Sequence, residues 1–325
     1  MTDYKTILAL CDGAARVAIC GHINPDGDCI GSMLALREIL RKRGKDPVCL
    51  LNQDQPAPQS YAFLPGYDFC YASQYTATPD LMVVVDGGVR KRLGHSVDVL
   101  DRAAQVLVID HHDGGVDLPG TILCDPRAAA CALLIWELAE AAGLAADQRI
   151  AEYCYLGLMT DTGRFAYQNT DVRALAAAAA MVKAGASPDR LAAAVYSNTP
   201  LSYLELEGRV VKRLVLPAAA GGKVAYSYVR DADLAELGLS QDQTEDLPQL
   251  LRSIAGVEVS VLFREQADGH IRGNLRSQDG FDVGAFAKGF GGGGHPGAAG
   301  ISSKQPLALT MQTVSAALIE AYVQA

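Results

Sequence analysis

The chain has 325 residues, of which 50% are hydrophobic and 20% are charged, and its formal net charge is −9 at pH 7. This composition supplies enough apolar side chains for sizeable cores, which excludes a chain disordered throughout, and the length predicts about two domains. The acidic balance excludes a protein that coats long duplex nucleic acid, because that function needs a broad basic surface.

No segment has the pattern of a membrane span, since the longest apolar run, residues 174–182, is far shorter than the roughly 20 residues required. The first residues lack the basic start and clean apolar core of a signal peptide. The eight cysteines include no Cys-x-x-Cys pair and mostly lie in apolar stretches, which is typical of reduced core residues. We therefore expect a cytoplasmic protein with no membrane partner.

Short apolar runs alternate with helical patterns in the first part of the chain. The runs are typical of strands covered on both faces, and they lie at residues 16–22, 48–51, 81–85 and 106–109. Helical spacing of apolar residues follows at 28–43, 128–142 and 149–159. The alternation predicts an α/β fold whose N-terminal domain, residues 1–190, has a doubly wound, mostly parallel sheet with helices on both faces.

The pattern changes after residue 190. A helical stretch over residues 200–214 looks like a connector, so we assign residues 191–215 to a helical linker. Residues 223–229 and 257–263 alternate like half-buried strands, and Asp268-Gly269 predicts a turn into a returning strand. We assign residues 216–325 to a smaller α/β domain with a mixed sheet.

Potential metal ligands follow the apolar runs at the carboxyl ends of the predicted strands, where open parallel sheets bind ligands. We expect four segments to converge on one rim, with the segment at Asp161 following the apolar run 155–160. The candidates, in chain order, are His22, Asp26, Asp28, Asp86, Asp110, His111, His112 and Asp161.

Each of these residues alone is ordinary, because an aspartate at a strand end is most often a helix cap or a turn residue. Four carboxylates at one place, however, repel each other unless cations lie between them. Carboxylates mixed with imidazoles, and without a thiolate, suit Mn²⁺, with Mg²⁺ or Co²⁺ as alternatives. Four aspartates balance two divalent ions, and such a pair favours phosphoester hydrolysis.

The segments HINPDGDCIGS, VVVDGG, VIDHH and GLMTDTGRF resemble the four motifs of the DHH phosphoesterases. The segment GGGGHPGAAG, residues 291–300, resembles the signature of the DHH-associated domain of exonuclease-type members. The motifs occur in family order over nearly the whole chain. The resemblance implies a Mn²⁺-dependent phosphodiesterase that degrades very short RNA to mononucleotides and also dephosphorylates 3′-phosphoadenosine 5′-phosphate. It further implies a homodimer.

The resemblance also implies six ligands for two Mn²⁺ ions: His22 and Asp26 for one, Asp28, His111 and Asp161 for the other, and Asp86 bridging both. His112 would lie near the scissile phosphate, Asp110 would orient a histidine, and Arg92 would lie near the site.

In the C-terminal domain, the same resemblance implies substrate binding by five residues: Arg276, Gly292, Gly293, Gly294 and His295. We expect the glycine run to form a flexible loop whose backbone N–H groups approach a phosphate, although such runs also occur as plain linkers. Arg272 and Lys288 are candidates for extending this positive patch.

Two alternatives remain. One is a different phosphoesterase activity of the same family, on linear or cyclic dinucleotides (pGpG, pApA, c-di-AMP) or on pyrophosphate. The other is a nucleotide-sensing module without catalysis. A substrate panel separates them by relative kcat/KM.

Overall fold

The computed structural model describes residues 3–244, 247–278 and 280–324. The chain divides into two compact units, Met1–Asn198 and Thr199–Ala325. Each unit has its own sheet and its own hydrophobic core. Within the described ranges, no helix is both long enough and apolar enough to cross a membrane.

The first unit contains a sheet of six strands that all pair in parallel. They are β1 (Val17–Cys20), β2 (Val48–Leu51), β3 (Cys70–Tyr71), β4 (Leu81–Val85), β5 (Gln105–Asp110) and β6 (Thr121–Cys124). The spatial order is β3-β2-β1-β4-β5-β6, so the winding direction reverses between β1 and β4. Such a reversal opens a crevice beyond the carboxyl ends of these two strands.

The central strands are apolar throughout because their side chains alternate between two cores. In β4, Val83 and Val85 enter the larger core, whereas Met82 and Val84 enter the smaller one. Burial on both faces therefore explains why the strands appear in the sequence as continuous apolar runs.

Helices cover both faces of this sheet. In the described part of the first unit they are α1 (Tyr4–Gly13), α2 (Gly27–Lys42), α3 (Ser96–Arg102), α4 (Cys131–Ala141), α5 (Gln148–Asp161), α6 (Val172–Lys183) and α7 (Pro188–Tyr196). Side chains of α3 belong to the smaller core, and the other helices contribute to the larger one.

Two glycines allow α2 and α5 to pack in close contact. A Cβ atom on Gly31 would lie 2.5 Å from the carbonyl oxygen of Tyr153, and one on Gly157 would lie 2.7 Å from Oδ1 of Asp28. Since real Cβ atoms do not approach that closely, glycine is required at both places. The contact brings Asp28, near the start of α2, beside α5, which ends at Asp161.

The second unit contains a mixed sheet with the order β10-β11-β9-β8-β7. Its strands are β7 (Val224–Val229), β8 (Val259–Glu265), β9 (Ile271–Ser277), β10 (Gly293–His295) and β11 (Ala298–Ser303). Among the described residues of this sheet, only the β7–β8 pair is parallel. The helices are α8 (Leu201–Lys212), α9 (Asp231–Leu237), α10 (Leu247–Arg252), α11 (Val283–Lys288) and α12 (Leu307–Gln324).

The predicted fold class, a doubly wound parallel sheet followed by a smaller mixed sheet, is confirmed. The expectation of a flexible loop at the glycine run is wrong for Gly293 and Gly294, which belong to β10 and pair with β11. A Cβ atom on Gly294 would lie 2.4 Å from the carbonyl oxygen of Ala298. The glycine therefore permits the close approach of two strands.

Candidate metal centre

Acidic and imidazole side chains from four segments of the first unit meet at the crevice beyond β1 and β4. His22 follows β1, Asp86 directly follows β4, and Asp110 is the last residue of β5. The fourth segment differs from expectation, because Asp161 ends helix α5 and not a strand. Three clusters of potential ligand atoms result: His22–Cys29–Asp86, Asp86–His111–His112 and Asp28–His111–Asp161.

Asp86 lies at the centre of the group. Its Oδ2 atom is 3.4 Å from Nε2 of His22, and its Oδ1 atom is 3.5 Å from Nε2 of His111 and 3.6 Å from Nδ1 of His112. The residue is buried and has a φ of +54°, a left-handed conformation that is rare for residues other than glycine. This backbone turn directs one carboxylate toward three histidines.

Backbone contacts set the orientation of the imidazoles of His22 and His111. Nδ1 of His22 lies 2.7 Å from the carbonyl oxygen of Ile23, and Nδ1 of His111 lies 3.2 Å from that of Ala128. A carbonyl oxygen only accepts, so each Nδ1 carries the proton and each Nε2 faces the carboxylates. Nε2 of His111 is 3.6 Å from Oδ2 of Asp161 and 3.7 Å from Oδ2 of Asp28.

Asp28 has a second task that the sequence analysis missed. Its carboxylate accepts hydrogen bonds from the backbone N–H groups of Cys131 at 2.7 Å and Ala132 at 2.8 Å, at the start of α4. Ala130, the residue before α4, provides no side-chain cap of its own. Asp28 therefore caps a helix that is distant in sequence while it faces His111.

Asp26 is the exposed member of the group, and it caps α2 by accepting from the N–H groups of Asp28 and Cys29, both at 3.1 Å. Its Oδ1 atom lies 3.9 Å from Nε2 of His22. Cys29 was not among the expected donors, but its Sγ atom lies close to His22 and Asp86. Burial, aided by the charges of Asp86 and Asp26, raises the pKa of the Cys29 thiol well above its usual value.

Asp110 connects the strand rim to His112. Its Oδ1 atom lies 2.7 Å from Nδ1 of His112, and its Oδ2 atom accepts from the N–H of Gly88 at 2.7 Å. A Cβ atom on Gly88 would lie 2.6 Å from Oδ2 of Asp110, so glycine is needed after the Asp86 turn. On the other side of the ring, Nε2 of His112 lies 3.3 Å from Nη1 of Arg92.

The environment of the group raises the pKa of both His111 and Asp161. Burial alone would lower the pKa of His111, but Asp86, Asp28 and Asp161 outweigh it and raise the pKa to about 10. Burial and the charges of Asp86 and Asp26 raise the pKa of Asp161 to about 6, against the opposing effect of His111. In the absence of cations, the cluster therefore holds protons.

Two buried atoms test whether the residues fit a metal ion. Nε2 of His22 and Oδ1 of Asp86 have no hydrogen-bond partner in the described part of the chain. Buried polar atoms of native proteins are nearly always paired. Because both atoms face the shared centre, the donor set fits cations coordinated by carboxylate and imidazole.

The predicted substrate-binding residues of the second unit lie on neighbouring strands. Arg276 of β9 is level with Ala298 of β11, and Ala298 is level with His295 of β10. Residues in register share a face, so Arg276 and His295 lie on one face, about 10 Å apart. Gly293 and Gly294 lie in the same edge strand, and Gly292 comes immediately before it.

The two candidates for a wider positive patch differ in position. Arg272 lies on the same face of β9 as Arg276 and lines a cavity of about 540 Å³ together with His270 and Gly292. Lys288 ends α11, whose buried residues join the core on the opposite face of the sheet. Lys288 is therefore separated from the Arg276 face.

Asn169 is a further residue that the motifs did not indicate. Its side-chain amide donates to the carbonyl oxygens of Ala129, at 2.9 Å, and Asp161, at 3.1 Å. It thereby joins the end of α5 to the loop whose Ala128 carbonyl orients His111. It lies eight residues after Asp161, in a stretch that is neither helix nor strand, so no periodic pattern could have indicated it.

The profile of the DHH family, N-terminal domain, matches residues 16–158, and the profile of the DHHA1 domain matches residues 221–324. A relative from Thermus thermophilus, named bifunctional oligoribonuclease and PAP phosphatase NrnA, is 29% identical over 89% of this chain and 84% of its own length. An identically named protein from Bacillus subtilis is 28% identical over 86% and 87%.

Among solved structures, an exopolyphosphatase-related protein from Bacteroides fragilis superposes with a TM-score of 0.88 over 99% of this chain and 96% of that one, at 23% identity. This similarity shows that the fold is shared over both units. The two domain profiles, which together span most of the chain, identify residues 16–158 as an N-terminal domain of the DHH family and residues 221–324 as a DHHA1 domain.

Proposed function

We propose that this chain is a metal-dependent phosphodiesterase that hydrolyses very short RNA to mononucleotides and also removes the 3′-phosphate of 3′-phosphoadenosine 5′-phosphate. The observation that carries the proposal is the convergence of three histidines and four aspartates at the switch point between β1 and β4, the aspartates being Asp26, Asp28, Asp86 and Asp161. The similarity to relatives named as oligoribonucleases and PAP phosphatases supports this choice of substrates.

We assign two divalent cations to this centre, with Mn²⁺ as the preferred ion. His22 and Asp26 would hold one ion. Asp28, His111 and Asp161 would hold the other, and Asp86 would bind both. The orphaned atoms of His22 and Asp86 support the assignment. Bound ions would supply the polarisation of the phosphoryl group and the counter-charge for its oxygens.

The residues around His112 have a separate task in this proposal. Asp110 accepts a hydrogen bond from Nδ1 of His112. This contact directs Nε2 of the ring toward Arg92, 3.3 Å away. The guanidinium of Arg92 has only donors, so Nε2 of His112 is the acceptor in this contact. Arg92 would supply a positive charge beside a phosphate oxygen, and His112 would lie next to the scissile phosphate.

The second unit would bind the nucleotide. Arg276 and His295, on one face of the sheet, would contact its phosphate, with the backbone N–H groups of Gly292, Gly293 and Gly294 beside them. A substrate this short touches a small area, so a protein with a net charge of −9 does not need a basic groove.

A substrate panel tests the proposal. Purified protein with Mn²⁺ is assayed on RNA dinucleotides, 3′-phosphoadenosine 5′-phosphate, cyclic dinucleotides and pyrophosphate. We expect the highest kcat/KM on the first two. Asp46→Asn is the matched control, because Asp46 is exposed and precedes β2 at the opposite end of the sheet. Metal binding without hydrolysis of any phosphoester would refute the proposal and favour a sensing module.

The outward face of α6 supports our proposal of a homodimer. Val172, Leu175 and Val182 lie at helical spacing and are 84%, 51% and 43% exposed. Apolar stripes of this kind mark surfaces that associate. Light scattering of the wild type and of Leu175→Glu tests it: we expect a dimer and a monomer, and a monomeric wild type would refute it.

A further inference from the structure

Aromatic side chains are concentrated at one exposed place on the first unit. Of 13 tyrosines, seven phenylalanines and one tryptophan, all in the described part of the chain, only Tyr167 and Tyr196 are exposed, at 63% and 37%. Cζ of Arg164 lies 4.8 Å from the centre of the Tyr196 ring. Arg164 therefore contacts Tyr196, and Tyr167 follows Arg164 by three residues in the same turn.

An unusual backbone presents these side chains. Gly163, Arg164 and Phe165 have φ angles of +55°, +62° and +63°, which form three consecutive left-handed residues. Such conformations cost free energy for residues other than glycine and cluster at functional sites. Thr162 holds the turn, because its Oγ1 accepts from the N–H of Phe165 and its carbonyl oxygen accepts from that of Tyr167.

The turn lies next to the candidate metal centre. A Cβ atom on Gly163 would lie 2.3 Å from Cζ of Tyr167, so the Tyr167 ring packs directly on this glycine. Gly163 is two residues after Asp161, whose carboxylate is 3.6 Å from Nε2 of His111. Two residues span at most about 7 Å. The glycine under the ring therefore lies within about 7 Å of Asp161 along the chain, which places the ring close to the candidate metal centre.

We propose that Arg164, Tyr167 and Tyr196 form a stacking platform that binds one nucleobase of the substrate. This inference rests on the proposed function and specifies its substrate as single-stranded and base-bearing. Unstacked bases of single strands bind to aromatic rings and arginine planes. Every base has such a face, so the platform accepts any sequence, and Arg164 adds a cation near the backbone.

The test compares Tyr167→Leu with Tyr167→Phe, since leucine removes the ring and phenylalanine keeps it. Tyr167 is largely exposed, so both variants should fold, which melting curves check. The substrates are a dinucleotide and its analogue in which one base is replaced by hydrogen, with either base removed in turn. We expect Tyr167→Leu to raise KM for the dinucleotide about tenfold, with kcat unchanged. One analogue should show no such change, and Tyr167→Phe should behave like the wild type.

Equal effects of Tyr167→Leu on the dinucleotide and on both analogues, or a loss in Tyr167→Phe as large as in Tyr167→Leu, would overturn the platform and leave the proposed function intact. If the wild type hydrolyses no phosphoester, the proposed function fails. Equilibrium binding of a dinucleotide containing 2-aminopurine then decides the platform: fluorescence quenched by the wild type and by Tyr167→Phe, but not by Tyr167→Leu, supports it, and equal quenching by all three refutes it.

Discussion

Both units bury aspartates, but the charges around them differ in sign. In the second unit, Asp233 is fully buried and is surrounded by guanidinium groups at 2.5 to 3.2 Å, from Arg209, Arg213 and Arg230. Burial alone would raise the pKa of Asp233, but these arginines outweigh it and hold the pKa below its usual range. The charge of Asp233 is therefore balanced by side chains of the protein itself.

At the candidate metal centre of the first unit, Asp28 and Asp86 have histidine partners and no arginine partner among the described residues. Asp28 and Asp86 are as deeply buried, yet their neighbours are further carboxylates and histidines. Burial and the charge of Asp86 raise the pKa of Asp28 well above its usual value, which is the opposite of the shift at Asp233. A buried carboxylate paired with arginines is structural, whereas a group that lacks cations is suited to bind them from solution.

Asp86→Asn should show the largest effect, because the amide keeps the shape of the side chain and removes the central charge. We expect hydrolysis of RNA dinucleotides in Mn²⁺ to fall at least about a thousandfold. Asp46→Asn is the control. A variant with wild-type turnover would contradict the assignment of Asp86.

Asp233→Asn should lower the free energy of unfolding and leave the turnover unchanged, which is the reverse of the effect of Asp86→Asn. It leaves the arginines without a buried counter-charge, and breaking such a group costs about 3 kcal/mol of the free energy of unfolding. Urea denaturation measures this loss. In Mn²⁺ at low temperature, the turnover per folded molecule should equal that of the wild type. Unchanged stability would show that the arginines do not depend on Asp233.

The two groups should also respond to pH in opposite directions. Without metal, the stabilisation from His111, with its pKa of about 10, is complete below about pH 6.5 and is lost as the pH rises through 10. The stabilisation from Asp161, with its pKa of about 6, is complete below about pH 3.9 and is lost as the pH rises through 6.

The chelated first unit should therefore lose stability as the pH rises from about 5 to 10, in contrast to Asp233, whose contribution is complete above about pH 3.9 and is lost as the pH falls. Urea denaturation in EDTA at several pH values measures the trend, and saturating Mn²⁺ should remove it above pH 7 because bound cations replace the protons. A stability that rises toward pH 10 in EDTA would contradict the charge balance described above.

Lys223→Ala should show the smallest effect. Lys223 and Glu258 form a pair at 2.8 Å in the second unit, but both side chains are largely exposed to solvent, at 54% and 38%. Exposed pairs contribute little, so we expect the melting temperature to change by only about 1 °C. A shift as large as that of Asp233→Asn would show that burial does not separate the two cases.

The elements that the sequence predicted well are those whose apolar pattern is strong. Strands β1, β2, β4 and β5 are continuous apolar runs, and each lies within one or two residues of its expected position. Strands β3 and β6 were missed because they are short and only partly buried. The hairpin β10–β11 was missed because a run of glycines has no pattern, and its pairing depends on the absence of Cβ atoms.

The sequence by itself determined the chemistry of this protein: the alternation of strands and helices, the aspartates and histidines behind the strands, and the charge conflict that such a set creates. Residue type and short-range order suffice for these. Only the tertiary structure decided which groups lie in contact. Asp28 caps α4, Cys29 lies beside His22, and Tyr167 packs on Gly163. Those contacts arise from helix packing and from strained turns, and neither leaves a periodic signal in the chain.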